Sequence, residues 1–151
     1  MMNKKILELL QINVINYINI FKLDFASLPE QTYEVTETYE IIILKFKNNI
    51  KSEIEVRYID YASDSLISLS FSRFNEDGYI NSWLRFVDYF DKYKNIPDSK
   101  GKFFLSNNSE TIEAELKQFF DWLISATDPQ LIDILQGKDW VDIPFDWGEY
   151  R

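Results

Sequence analysis

The residues with catalytic potential in this 151-residue chain are carboxylates, because it contains no histidine and no cysteine. Acidic clusters occur at Glu34, Glu37 and Glu40, at Glu76 and Asp77, and at Asp139, Asp142 and Asp146. Paired carboxylates perform general acid/base chemistry, glycoside hydrolysis above all, when a cleft holds them a defined distance apart. Nothing in these spacings fixes such a distance, and Glu34, Glu37 and Glu40 are better explained as solvated strand or turn positions. A magnesium site built from Asp and Glu alone has no supporting pattern. Without histidine or cysteine, Ser-His-Asp and Cys-His hydrolysis and zinc-thiolate sites are excluded. The glycines Gly78, Gly101, Gly137 and Gly148 are isolated, so there is no phosphate-cradling loop. The reading is non-enzymatic, with no catalytic residue, metal ligand or cofactor assigned.

Binding chemistry is better represented. The C-terminal stretch KDWVDIPFDWGEYR interleaves Trp140, Phe145, Trp147 and Tyr150 with Asp139, Asp142, Asp146 and Glu149. Two readings apply. The aromatics pin an irregular terminus onto helices while the acids stay solvated, or they form a contact surface in which aromatics supply binding energy and acids steer a basic partner. On the second reading the contact residues are Asp139, Trp140, Asp142, Asp146 and Trp147. The loop carrying Asp60, Tyr61 and Asp64 is the second candidate. The net charge of −9, from 25 acidic and 16 basic side chains, argues against a nucleic-acid or anionic-membrane surface and favours a basic protein partner. The same charge also serves plain solubility.

These residues need a scaffold, and the stretch Glu40 to Phe74 specifies one. Ile42, Leu44 and Phe46 alternate with Ile43, Lys45 and Lys47, and Ile54, Val56 and Tyr58 alternate with Glu53, Glu55 and Arg57. Directly opposed residues share a face, so Phe46 belongs opposite Ile54, Leu44 opposite Val56 and Ile42 opposite Tyr58. This register also sets Lys47 against Glu53 and Lys45 against Glu55. A two-residue slide would oppose Lys47 to Lys51 and Ile43 to Glu55. The third strand, Leu66 to Arg73, fits with Tyr58 opposite Ile67, Val56 opposite Leu69 and Ile54 opposite Phe71. One face of the meander is then wholly apolar. The other is polar at one end and apolar around Tyr39, Ile41, Ile43, Ile59, Tyr61 and Leu66, which calls for a cover: a helix, another strand or a partner protein.

The length suits one domain, residues 1–151, with a core burying roughly 70% of the unfolded surface. Apolar residues at helical steps predict an amphipathic helix from Asn3 to about Lys22, its stripe widened by Ile12, Ile15 and Ile20. Tyr33 to Thr38 reads as an earlier strand, with a bulge or short turn near Glu37 to Glu40. After the turn Asn75-Glu76-Asp77-Gly78, the spacing of Ile80, Trp83, Leu84, Val87 and Phe90 predicts a helix over 79–93. A short edge strand is expected at Lys102 to Ser106. A helix over 108–125 follows, capped by Asn107 with Glu110, and a last one starts at Asp128-Pro129 and ends at Gly137. The expected class is α+β: an antiparallel meander of three to five strands with an N-terminal helix and C-terminal helices packed on it. Polar residues break the N-terminal apolar run, so neither a signal peptide nor a membrane span is expected, and cytoplasmic residence is the default.

An acidic, cysteine-free and histidine-free chain with an N-terminal helix, the meander strand LISLSFSRF, the turn NEDG and the segment YINSWLRFVDYF resembles the bacterial immunity proteins of contact-dependent and polymorphic toxin systems. That resemblance implies a cytoplasmic antitoxin that binds a cognate toxin domain, often a basic nuclease, and blocks it stoichiometrically. The competing classes are an adaptor or regulatory domain and a carboxylate-based enzyme.

Overall fold

A computed structural model describes residues 4–48 and 51–143. Helix α1 (Lys4–Ile20) precedes strands β1 (Glu30–Val35), β2 (Glu40–Lys47), β3 (Ser52–Asp60), β4 (Ser65–Phe74) and β5 (Ile80–Arg85). The chain continues through a short helical segment, α2 (Phe86–Asp88), running into a π turn at Tyr89–Tyr93. A 3₁₀ turn (Lys100–Phe103) leads to strand β6 (Phe104–Leu105) and helices α3 (Ile112–Ala126) and α4 (Pro129–Leu135). The architecture is α+β. The strands are antiparallel in the order β1-β2-β3-β4-β5, and β6 pairs with the far end of β4.

The register follows from matching hydrophobes. Phe46 faces Ile54, Leu44 faces Val56 and Ile42 faces Tyr58, with Lys47 opposite Glu53 and Lys45 opposite Glu55. On the next ladder Tyr58 faces Ile67, Val56 faces Leu69 and Ile54 faces Phe71. All of these apolar residues are buried. They share one cluster with Leu10, Val14 and Tyr17 of α1, Leu116, Phe120 and Leu123 of α3, and Leu131 and Ile134 of α4. The helices thus spend their apolar stripes on a single face of the sheet.

Three local expectations need correction. The helix expected over 79–93 is a strand for its first half. Asn75 Oδ1 accepts from the backbone N–H groups of Asp77 and Tyr79, and Gly78 takes φ +83°, which makes a hairpin turn. The returning chain pairs with β4, Leu84 opposite Phe71 and Trp83 opposite Ser72. Pairing with an existing strand outweighs a helical spacing that Ile80, 61% exposed, does not use for burial. The chain turns helical only at Phe86, where Asp88 and Tyr89 are buried. On α1, successive residues turn by about 100°, so Ile6, Leu10, Val14, Tyr17 and Ile18 are buried and Ile15 packs partly against the core, while Ile12 and Ile20 are exposed. Finally, the N-cap of α3 is Thr111, not Asn107. Glu115 reaches back to accept from the Ser106 N–H at 2.9 Å and the Thr111 hydroxyl at 2.8 Å. The change of parity between Val35 and Ile42 is a turn, in which the Thr36 N–H donates to the Tyr39 carbonyl at 2.9 Å.

Candidate functional site

The face of the sheet turned away from the helices is an open groove of about 1050 Å³. Its floor can be mapped from the ladders. Lys47, Glu53, Ser72 and Trp83 form one row across β2 to β5, and Lys45, Glu55, Ser70 and Arg85 form the next. Ile43, Arg57 and Ser68 follow, then Ile41, Ile59, Leu66 and Phe104. Small serines on β4 leave a depression, while Ile80, Trp83 and Tyr61 are large, exposed and line its margins. The apolar end holds Ile41 and Ile43, which are buried yet stand outside the helix-packed cluster. There the Tyr39 and Tyr61 rings meet edge-on at 6.0 Å.

The groove differs in charge from the rest of the chain. Lys45, Lys47, Lys51, Arg57 and Arg85 line it against Glu53, Glu55 and Glu76, leaving 22 acidic and 11 basic side chains elsewhere in the sequence. Most of the cations are committed. Lys47 Nζ lies 3.0 Å from Glu30, the Arg57 guanidinium donates twice to Glu55 at 3.2 and 3.3 Å, and Arg85 donates to Asp88 at 2.7 and 3.1 Å. Glu53 is different. It is 8% exposed, and its carboxylate takes no hydrogen bond from any described residue. Burial pushes its carboxyl above the usual range, against the opposing pull of Lys45 and Lys47.

The candidates read from the sequence lie at two separate places. Asp60 Oδ1 accepts from the Ala62 N–H at 2.8 Å and from Asn107 Nδ2 at 3.1 Å, which fixes the β3–β4 turn. The Asp64 carbonyl accepts from the Tyr61 N–H at 3.0 Å, and the Asp64 side chain is exposed. Of the eight candidates, Tyr61 alone among the described residues lines the groove. At the opposite end of β4, Arg73 Nη2 donates to the carbonyls of Ile134, at 2.9 Å, and Asp139. The Arg73 guanidinium sits 4.7 Å from the centre of the Trp140 ring. Trp140 is half-buried there, and Asp139 and Asp142 remain exposed. Asp146 and Trp147 lie outside the described residues. Eight strand positions separate Ser65 from Arg73, so the loop and the tail are roughly 26 Å apart. The structure brings Asp60, Tyr61 and Asp64 together and keeps Asp139, Trp140 and Asp142 away from them.

Because one guanidinium ties α4 and the following segment to the sheet, Arg73→Ala is expected to speed tryptic cleavage after Lys138 roughly tenfold by lowering the cost of local opening. Cleavage followed by mass spectrometry checks this, and an unchanged rate would show that Trp140 is held by other contacts.

Sequence reasoning missed Glu53, Ser70, Ser72 and Trp83 as site residues. The available signal was parity: each lies opposite, or in line with, a residue already assigned to the outward face. Among the described residues no group of acids could hold a metal ion, and no helix is long and apolar enough to cross a membrane. Comparison with protein-family models, with curated proteins and with solved structures finds no match to this chain.

Proposed function

We propose that this chain is a protein-binding module whose contact surface is the open face of the sheet, and that it acts as an immunity protein, neutralising a cognate toxin domain in the cytoplasm by stoichiometric binding. The observation that carries this reading is the four-strand floor between β2 and β5, on which, among the described residues, no helix packs. The helices occupy one face only, while the other combines a groove of about 1050 Å³ with exposed Tyr61, Ile80 and Trp83 at its margins. At the upper end of the roughly 300–1,000 Å³ range of small-molecule pockets and running across four strands, the groove has room for a protein element. Exposed aromatics beside polar groups are the composition of binding hot spots. The surplus of acids outside the groove steers a basic toxin domain towards the chain, and the immunity assignment itself rests on the resemblance drawn from the sequence.

Co-purification from the native host identifies the partner, and calorimetry on the purified pair then tests the surface. Ser68→Trp fills the groove floor at a half-buried position. It is expected to weaken binding at least roughly 30-fold, a hot-spot-sized loss, while leaving the unfolding midpoint near that of the parent. Equal affinity for parent and variant overturns the assignment of the surface. Association should also slow steeply with rising salt, and a salt-independent on-rate contradicts charge steering. A partner that is a secreted toxin domain supports immunity. A partner that is a component of a larger assembly supports the adaptor reading, which uses the same surface.

A further inference from the structure

We infer that the groove on the open face is the docking site of the chain's own C-terminal segment, residues 144–151, which a partner must displace in order to bind. The displacement rests on the reading of that face as a protein-binding surface; the occupancy does not.

Three polar side chains of this face are buried where no described helix packs. Glu53 is 8% exposed, and Ser70 and Ser72 are each 6% exposed, although all three point away from the helix-packed cluster. For Glu53 the neighbours in the sheet do not account for this. Lys47, opposite it on β2, has a side chain that is 54% exposed, and Ser72, opposite it on β4, is small. Farther along the same face of β4, Ser68 is only half-buried, and Arg57 beside it is exposed. Exclusion of water from one end of the face requires a cover above that end.

Length and position select the occupant. Residues 1–3 precede α1, whose buried stripe belongs to the other side of the sheet, and the two residues between Asn48 and Lys51 are too few to reach from the β2–β3 turn to Ser70. Eight residues follow Ile143, and at about 3.3–3.6 Å each they reach roughly 26–29 Å. They set out from a fixed place, because Arg73 holds the Asp139 carbonyl and lies 4.7 Å from the Trp140 ring at the end of β4. There Ser72 and Phe74 line the groove. Rounding the sheet takes about 10 Å and each row of side chains about 7 Å, so the rows of Ser72 and Ser70 fall within reach.

The chemistry is complementary. The sequence PFDWGEYR carries the acids Asp146 and Glu149 among the rings of Phe145, Trp147 and Tyr150. In a chain of net charge −9, the groove is lined by five lysine or arginine side chains against three glutamates, a local surplus of positive charge. The small serines of its floor leave room for rings, and Ile80 and Phe74 at its margin offer them apolar contact.

The test uses the full chain, which has no native cysteine, with a nitroxide label on Arg151→Cys and amide NMR as the readout. The expected result is loss of the Glu53, Ser70 and Ser72 signals while those of Ile12 on α1 and Asp121 on α3 persist, with recovery when the label is reduced. Phe145→Ala combined with Trp147→Ala should restore the three signals. The peptide PFDWGEYR, added to that double variant without the label, should shift the same three amides saturably, which also shows that the variant is folded. Persistence of the three signals in the labelled parent overturns the inference, as does equal loss in the double variant, which is the result of an undocked terminus passing near the sheet. Freed of its occupant, the double variant should bind the partner about tenfold tighter than the parent, and equal affinity overturns the displacement. If Ser68→Trp abolishes partner binding while the three signals persist in the labelled parent, the surface stands and the inference falls. If the label clears them while Ser68→Trp leaves partner binding intact, the place of the segment stands and the partner-binding surface falls.

Discussion

Phe71→Ala is expected to lower the unfolding free energy by about 3–5 kcal/mol, a large share of the roughly 5–15 kcal/mol that holds a domain of this kind together. Phe71 is fully buried on β4, between Ile54 of β3 and Leu84 of β5. Its ring meets Phe25 edge-on at 6.2 Å, lies 6.4 Å from Trp140 and carries the Arg73 guanidinium at 5.8 Å. Truncation removes the transfer energy of the ring and leaves a cavity that three sheet strands and the connection holding Phe25 cannot all relax into. The control is Ser68→Ala, three residues away on the opposite face of the same strand, where about 0.5 kcal/mol or less is expected. Urea unfolding of both variants measures the difference. Comparable losses would mean that the faces of β4 are misassigned, because a one-residue slip exchanges them.

The second large effect is expected at Asp128, where three interactions meet. Its Oδ1 accepts from the Leu131 N–H at 2.9 Å, capping α4, and from the Tyr89 hydroxyl at 2.6 Å. Lys94 Nζ approaches the other oxygen at 3.1 Å. Tyr89 is fully buried, and burial, followed by the hydrogen bond to Asp128 and its charge, pushes its hydroxyl far up, so it remains a donor. Asp128→Ala loses the cap, about 1–2 kcal/mol, and strands the buried phenol, about 1–3 kcal/mol; a total of roughly 2–4 kcal/mol is expected. Asp128→Asn keeps an acceptor for both and should cost about 1 kcal/mol, chiefly the partly exposed contact with Lys94.

The pH dependence separates these variants. Burial raises the Asp128 carboxyl, but the hydrogen bonds from Tyr89, Leu131 and Lys94 outweigh it and hold the group below the usual aspartate range. A depressed folded pKa stabilises the native state above the unfolded value, near 3.9, and that contribution is lost as pH falls through the folded value. The advantage of the parent over Asp128→Asn should therefore be constant near neutrality and vanish on acidification below about pH 4. An advantage that persists well below that range would show that the carboxylate charge is not what Tyr89 and Lys94 recognise.

Legibility in the sequence tracked how local the determining interaction is. The β2–β3–β4 register could be read because period two leaves a single arrangement that opposes hydrophobe to hydrophobe and lysine to glutamate. The start of α4 could be read because Asp128 caps it and Pro129 occupies its first turn. The segment 79–93 could not, since Ile80, Trp83, Leu84, Val87 and Phe90 satisfy helical spacing while Leu84-Arg85-Phe86 alternates as a strand does. Only the unfilled edge of β4 decides between them. The partner-contact residues chosen from type and spacing, Asp139, Trp140 and Asp142 with Asp60, Tyr61 and Asp64, proved to lie at opposite ends of β4.

By itself, then, the sequence determined an α+β chain with an antiparallel meander, its strand faces, its N-terminal helix and the start of α4, because each of these follows from the period of apolar residues and from caps within a few positions. The tertiary structure decided which face the helices would cover. It also decided that β5 would join the sheet and that Glu53 would end buried at the floor of a groove without a hydrogen bond from any described residue. These outcomes depend on which distant surfaces meet, and no pattern of neighbouring residues encodes the loss of solvent that raises the carboxyl of an outward glutamate.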